Sequence, residues 1–158
     1  YCIYNYKGWV MNLKEYYLVC LNEEVNEILE SLSLLDESNS EKQKELIIEE
    51  VHDLIGVSNI LKEFGITINY TYVLEDDFDI FNTLFRLSYT ISKSLRFGLE
   101  NRHPNEKDIN LEVINICLSK IYSFLSNITT IDENKILKKE NKVKSFLLES
   151  YEANIIRD

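Results

Sequence analysis

Apolar residues recur along the first part of the chain at alternating steps of three and four, which is the period of an amphipathic helix. The pattern predicts a first helix over residues 13–35 and a second over residues 41–64. A polar break separates them, and Ser38 with Glu41 has the spacing of a capping box for the second helix. Gly65 follows the second helix and is a suitable C-terminal stop.

The helical pattern resumes after one interruption. Residues 66–74 are β-branched and aromatic, which predicts an extended connector, with two short strands as an option. Helices are predicted over residues 77–97 and 106–128, and a fifth starts near Thr130 and Glu133, which again have capping-box spacing. We therefore expect an all-α fold, a four-helix bundle core of two helix pairs with a C-terminal helix added.

A single domain over residues 12–158 accommodates these elements, because a chain of 158 residues is long enough to bury one core. It divides into an acidic helix pair (12–65), a second helix pair (77–128) and the C-terminal helix (131–157). Residues 1–11 are interpreted as an N-terminal extension or a tag.

Composition excludes several classes of function. The formal charge is −10, which argues against binding to nucleic acid polymers. There is no run of about 18 apolar residues, so no membrane association is expected. Cys2, Cys20 and Cys117 are widely spaced and form no CxxC pair, which favours reduced thiols in the cytoplasm or another reducing compartment.

Carboxylates interrupt the apolar face of the predicted second helix. Glu50 and Asp53 lie within a row at helical spacing, and an ionised carboxylate taken out of water costs several kcal/mol unless it is paired or binds metal. The first helix carries Glu23, Glu24 and Glu27 on nearly one side. The complete row of the second helix is Leu46, Glu50, Asp53, Val57, Ile60 and Phe64.

A short connection should make the two helices antiparallel and bring both acidic sets together. Carboxylates without sulfur or imidazole favour a hard cation, so we expect Mg²⁺, with Mn²⁺ able to replace it. His52 lies within this segment, but on the helix it is about 100° away from Asp53. We therefore interpret it as a residue without a direct role at the site. The plain alternative is that these acids face solvent, as acids on helices usually do.

Glu23-Glu24-x-x-Glu27 followed by Glu50-x-x-Asp53 resembles the EExxE…ExxD signature of the all-α nucleoside triphosphate pyrophosphohydrolases, which include the MazG proteins and the dimeric dUTPases. The resemblance implies a Mg²⁺-dependent enzyme that cleaves a (d)NTP to a (d)NMP and pyrophosphate, in nucleotide-pool house-cleaning. It implies Glu24, Glu27, Glu50 and Asp53 as metal ligands. Glu23 and Glu27 are the expected catalytic residues, and Glu23 either orients and deprotonates the attacking water or completes a second metal site.

A second resemblance lies downstream. SKSLRFGLE is similar to a segment that follows EExxE in some MazG-like proteins. Counting back from it places Asn82, Thr83 and Arg86 at the positions of the three Glu, and counting forward places Glu112 and Asn115 at ExxD. The second helix pair is thus expected to be a copy of the first that has lost most of its acids.

The same segment supplies the expected phosphate ligands, Lys93 and Arg96. The alternative for both is an exposed helix-end cation favoured by the helix dipole. The fifth helix begins with a basic run that we interpret as a solvated face. The run consists of Lys135, Lys138, Lys139, Lys142 and Lys144.

The substrate is expected to be a nucleoside triphosphate. Its base is expected between the helix pairs, against an aromatic such as Phe81, Phe85 or Tyr89, although ordinary core positions are the more common role of such residues. The duplicated chain leaves a monomer and a homodimer both open. A rival interpretation is a catalytically inactive MazG-like protein that acts as a structural subunit or a nucleotide-sensing module.

Overall fold

The computed structural model describes residues 11–100 and 109–152. Within them the chain forms five α-helices and one 3₁₀ turn, and no β-strand, so the predicted all-α fold is confirmed. The helices are α1 (Leu13–Ser33), α2 (Ser40–Ile60), α3 (Ile80–Phe97), α4 (Asn110–Ile128) and α5 (Glu133–Glu152), with the 3₁₀ turn (Leu61–Phe64) directly after α2.

The helices pack as two hairpins and an added helix. α1 contacts α2, α3 contacts α4, and the hairpins join chiefly through α1 and α3. α5 lies against α2. Apolar residues at helical spacing fill one continuous core, in which Leu21, Val25, Leu54, Leu87 and Leu118 are fully buried. The helical bundle with a C-terminal helix is therefore present, as predicted.

Gly65 ends the first hairpin as predicted. Its φ of 90° is left-handed, and its N–H bonds back to the carbonyl of Lys62, which a glycine allows without strain. α1 ends at Ser33, slightly before the predicted boundary. It begins with a capping box between Asn12 and Glu15 that the sequence analysis did not single out.

The two capping boxes expected from sequence are wrong. Ser38 donates its hydroxyl to Asp36 in the turn between α1 and α2, and α2 begins without a side-chain cap. At α5 the capping residue is Asp132, whose carboxylate accepts from the N–H groups of Asn134 and Lys135. A carboxylate one residue before the helix competes better for those amides than a hydroxyl farther away. The expectation for Thr130 therefore fails.

The connector, residues 66–79, forms no strand, and its irregular backbone turns at residues 70–71 and 76–77. Side chains from successive turns of α4 hold its backbone, which replaces the ladder that strands would have supplied. The bonds join Asn115 Oδ1 to Thr67 N (3.0 Å), Ser119 Oγ to Asn69 N (2.8 Å) and Ser123 Oγ to Tyr72 O (2.9 Å).

The second hairpin begins later than predicted. α3 starts at Ile80, because the Asp79 carboxylate accepts from the N–H groups of Phe81 and Asn82. α4 is helical from Asn110, and the expected start at residue 106 lies outside the described residues. No described helix is long and apolar enough to cross a membrane.

Candidate functional site

Carboxylates from α1 and α2 converge where the first hairpin meets α5. The Lys139 ammonium lies 2.7 Å from Glu24 Oε1 and 3.9 Å from Asp53 Oδ2, so the two acids approach one point from two helices. Glu24 is only 6% exposed, and Asp53 and Glu50 are half-buried. The sequence placed these acids together correctly.

Lys139 is the residue that sequence analysis missed at this site. It was read as part of a solvated basic face, and that interpretation is wrong for Lys139, whose side chain is only 15% exposed. Lys135, Lys138, Lys142 and Lys144 are exposed. Lys139 lies three residues after Ile136, which is buried against the core, so the helical period turns both toward α2. That spacing was the available signal.

Gly56 allows α5 to approach α2 closely. A Cβ at this position would lie 2.8 Å from the Ile136 carbonyl oxygen and 2.9 Å from Lys139 Cβ. Asn59 also donates to Glu140 at 2.9 Å, one helical turn beyond Gly56. Because Gly56 has no side chain, α5 packs directly against α2 at this point, and this contact determines where Lys139 reaches the acids.

His52 is buried and lies outside the acid cluster, in agreement with its angular position. Its Nδ1 lies 2.8 Å from the carbonyl oxygen of Ile48, and its Nε2 accepts from the N–H of Asp132 at 2.9 Å. Because Nε2 accepts, the proton of the neutral ring is on Nδ1, which donates to Ile48. His52 therefore joins α2 to the start of α5.

Electrostatics reflect the burial of several acids together. Burial raises the Glu24 carboxyl pKa to about 7, against the opposing effect of the Lys139 ammonium and with a further rise from Glu27 and Asp53. Burial likewise raises the pKa values of Glu50 and Asp53. Glu24 Oε2 and Glu50 Oε2 are buried and have no hydrogen-bond partner among the described residues. One lysine does not satisfy this cluster.

In their present conformations, the side chains of the predicted metal ligands do not form a complete metal site. Among the described residues, no group of three acid, histidine or cysteine side chains is arranged to hold a metal ion. The Lys139 ammonium forms an ion pair with Glu24 and lies near Asp53. The Glu27 side chain is exposed. The donors nevertheless fit Mg²⁺ in chemistry, since they are all carboxylates and Glu24 and Glu50 each keep a buried oxygen without a partner.

A cavity of about 190 Å³ opens beside the cluster, between α1 and α5. Glu23, Glu24 and Glu27 line one wall, and Lys139 and Lys142 line the other. Opposite charges thus face each other across a space large enough for a small charged group. Asp53 and Glu50 lie outside its lining, toward α2.

The apolar row predicted on α2 is broken at one end. Leu46 is 42% exposed, whereas Val57 and Ile60 are buried and Phe64 is half-buried. The row of residues therefore lies outside the core at its N-terminal end, at Leu46. Glu50 lies at that transition, which explains why it is less buried than Glu24.

The predicted phosphate ligands lie on α3, outside the lining of the acidic cavity. Lys93 Nζ is 5.5 Å from the centre of the Tyr89 ring, and the Arg96 guanidinium is 4.9 Å from that of Phe97. Neither lines the cavity. Their role toward phosphate stays a prediction.

Three aromatic residues of α3 lie outside the core. Phe81, Phe85 and Tyr89 are all exposed, with Phe85 at 58%, and the rings of Phe81 and Phe85 are stacked 6.5 Å apart. They occupy one face at four-residue spacing. Their expected alternative role as ordinary core is therefore wrong.

The burial pattern of one hairpin repeats in the other. Residues 24–33 and 83–92 match at every position but one, and residues 47–60 resemble residues 110–123. This register favours Val113 and Ile116 as the counterparts of Glu50 and Asp53, one position beyond the pair expected from sequence. Asn115 of that expected pair holds the connector instead, since its Nδ2 also donates to the Gly65 carbonyl.

A larger cavity, about 390 Å³, lies between the connector, α3 and α4. Its lining includes Asn82, Thr83, Arg86, Val113 and Ile116. These are the counterparts of the acidic residues of the first hairpin. The counterparts of the acids therefore include one charged residue, Arg86. The charges elsewhere in the lining are those of Glu75, Asp77, Asp79, Glu112 and Lys120.

Comparison with known proteins identified no matching protein family, curated protein or solved structure. The family resemblance therefore stays a prediction carried by the acidic motif. The side chains between α1, α2 and α5 are the basis for any assignment of function.

Proposed function

We propose that the chain is a Mg²⁺-dependent nucleoside triphosphate pyrophosphohydrolase that cleaves a (d)NTP to a (d)NMP and pyrophosphate. The observation that carries the proposal is the convergence of buried acids from α1 and α2, with Glu24 Oε2 and Glu50 Oε2 lacking partners among the described residues. Buried carboxylates that repel one another destabilise a fold. Their presence is best explained by a cation that binds them during function.

The acids have two proposed roles, and Glu27 takes part in both. Glu24, Glu27, Glu50 and Asp53 would hold the metal, which when bound supplies charge compensation and Lewis acidity toward the phosphates. Glu23 is half-buried and Glu27 is exposed, and both line the cavity. We propose that they orient a water molecule and accept its proton.

Cationic side chains would receive the phosphates. Lys93 and Arg96 are the proposed ligands from α3. The base would lie against the exposed aromatic face of Phe81, Phe85 and Tyr89, which is free of core packing and so is available to a planar ring. House-cleaning in a reducing cytoplasm is the proposed setting, supported by the buried, reduced thiol of Cys117.

The test is a pyrophosphate-release assay with Mg²⁺ and a panel of dNTPs and NTPs. Release is expected with at least one substrate, and Glu50→Gln should abolish it while leaving the far-UV circular dichroism spectrum intact. Glu49→Gln is the matched control, because Glu49 is the preceding residue and is exposed. No release with any substrate at high protein concentration would contradict the proposal, as would full activity of Glu50→Gln.

The second candidate is an inactive MazG-like protein that serves as a structural subunit or a nucleotide sensor. The Lys139–Glu24 ion pair favours it, since a lysine on the acids can replace a metal permanently. Binding of a nucleoside triphosphate without turnover, observed by isothermal titration calorimetry together with the release assay, would support this candidate over the enzyme.

A further inference from the structure

The cation that balances the acid cluster in this structure belongs to the protein. Lys139 reaches the acids from α5, with its ammonium 2.7 Å from Glu24 and 3.9 Å from Asp53. We infer that Lys139 and a divalent cation are alternative occupants of the cleft between α1 and α2, so that metal binding displaces the ammonium from Glu24. The inference rests on the proposed function in one respect, namely that these acids bind metal.

The exclusion follows from distances. A carboxylate oxygen that binds Mg²⁺ lies about 2.0–2.1 Å from the ion. An ion on Glu24 Oε1 would be almost in contact with the ammonium, which lies 2.7 Å from that oxygen. An ion on Oε2 would still share one carboxylate with the ammonium, in a setting that water screens poorly. Lys139 also faces Asp53, so both acids that it approaches would be shared with the metal. Two cations in this space repel each other.

The cleft also has binding capacity that Lys139 does not use. Glu24 is more than nine-tenths buried, and its Oε2 has no hydrogen-bond partner among the described residues. Glu50 Oε2, on α2, is likewise a buried oxygen atom without a hydrogen-bond partner among the described residues. A single ammonium therefore leaves buried carboxylate oxygens unsatisfied, whereas a divalent cation with several coordination positions can bind more of them.

Lys139 can leave the acids by rotation about the bonds of its long, flexible side chain, while α5 stays packed against α2. The long side chain of Lys139 also lines the cavity beside α1, which offers it a solvated position next to Lys142. Movement of the ammonium into this space does not require the helix to unfold.

The first test measures metal affinity. Isothermal titration calorimetry with Mg²⁺ and with Mn²⁺ would compare the wild-type chain, Lys139→Met and Lys138→Met at about pH 8, where Glu24 is ionised given its pKa of about 7. Lys138→Met is the matched control, because it removes the same charge from the same helix at an exposed position. Lys139→Met should tighten metal binding at least about fivefold relative to this control. Equal or weaker binding than the control would overturn the inference.

A second measurement needs no variant. Lysine acylation of the wild-type chain, quantified by mass spectrometry, would report how accessible the Lys139 amine is with and without Mg²⁺. Because exclusion is reciprocal, Mg²⁺ should increase labelling of Lys139 while leaving that of Lys138 unchanged. Unchanged or decreased labelling of Lys139 at saturating metal would mean that both cations bind together, and would overturn the inference.

The outcomes separate the inference from the proposed function. Tighter metal binding by Lys139→Met without pyrophosphate release in the assay would keep the inference and contradict the enzyme. Release together with no effect of Lys139→Met on metal affinity would keep the enzyme and overturn the inference. Metal binding by none of the three chains would overturn the inference and remove the metal-binding premise of the enzyme.

Discussion

The backbone N–H of Asp132 donates a 2.9 Å hydrogen bond to Nε2 of His52, so a buried ring in α2 determines where α5 begins. The other ring nitrogen is used as well, since Nδ1 donates to the Ile48 carbonyl. Both polar atoms of a side chain that is only 2% exposed are therefore satisfied. The position of α5, and with it that of Lys139, depends on this ring.

Replacement of His52 by leucine should destabilise the chain by about 1–3 kcal/mol, because the Asp132 N–H loses its acceptor and the ring leaves its packing site. Urea unfolding followed by circular dichroism measures the change. Glu45→Leu is the control, because Glu45 is exposed and lies two turns before His52 in α2, and it should change stability by less than about 0.5 kcal/mol. Equal effects of the two substitutions would contradict the proposed role of His52.

Gly56→Ala should also destabilise the chain, by about 1–3 kcal/mol. The added Cβ would lie 2.8 Å from the Ile136 carbonyl oxygen, a backbone atom that cannot move without the rest of α5. In an exposed helix the same change would be stabilising by up to about 1 kcal/mol, so the sign of the effect is informative.

Thermal unfolding of Gly56→Ala gives the sign, and limited proteolysis of α5 shows whether that helix is the part released. Asn26→Ala is the control, since Asn26 is exposed on α1 and the substitution only raises helix propensity. A more stable Gly56→Ala chain would show that α5 does not pack as closely as the structure indicates.

Glu24 should make stability depend on pH in metal-free buffer. Its carboxyl pKa is raised from 4.5 to about 7 in the folded chain, mainly by burial. The folded state therefore binds this proton more tightly than the unfolded state does. The contribution of Glu24 to the free energy of unfolding is present below about pH 4.5 and is lost as the pH rises to about 7, a loss of up to about 3 kcal/mol.

Urea unfolding with a chelator at a series of pH values, for the wild-type chain and Glu24→Gln, measures this contribution as a difference. The variant should gain stability relative to wild type as the pH rises through that window, because glutamine carries no charge to bury. Parallel pH profiles would show that Glu24 ionises without cost in the folded chain.

Truncation of two neighbouring residues of α3 should reduce stability to very different extents. Leu84 is fully buried, so Leu84→Ala should cost about 2–5 kcal/mol. Phe85 is 58% exposed, so Phe85→Ala should cost less than about 1 kcal/mol despite the larger side chain that is removed. Chemical denaturation of both variants measures the contrast, and a large loss for Phe85→Ala would place that ring in an interface.

Apolar periodicity predicted the helices because each helix buries one stripe, and the stripe is a local property of the sequence. Gly65 was predictable for the same reason, since a left-handed position needs only its own residue. The helix starts were less accessible. Asp132 and Thr130 are both common capping residues, and the choice between them depends on where His52 receives the backbone of α5.

The acid cluster was half predictable. Glu24 and Asp53 were brought together by helical spacing and an antiparallel hairpin, which are short-range arguments. Lys139 comes from the distant α5, and its place depends on the packing of that helix over Gly56. A basic run gives no indication of which lysine turns inward unless the buried face of its helix is already known.

The anchoring of the connector has a consequence for the order of folding. Its backbone is held by Asn115, Ser119 and Ser123, which lie on one face only once α4 is helical. The backbone of residues 67–72 therefore gains these hydrogen bonds only when α4 forms, although it precedes α4 in the chain. During synthesis the first hairpin can fold as it emerges, whereas the segment that follows it has its hydrogen-bond partners only after α4 has been synthesised.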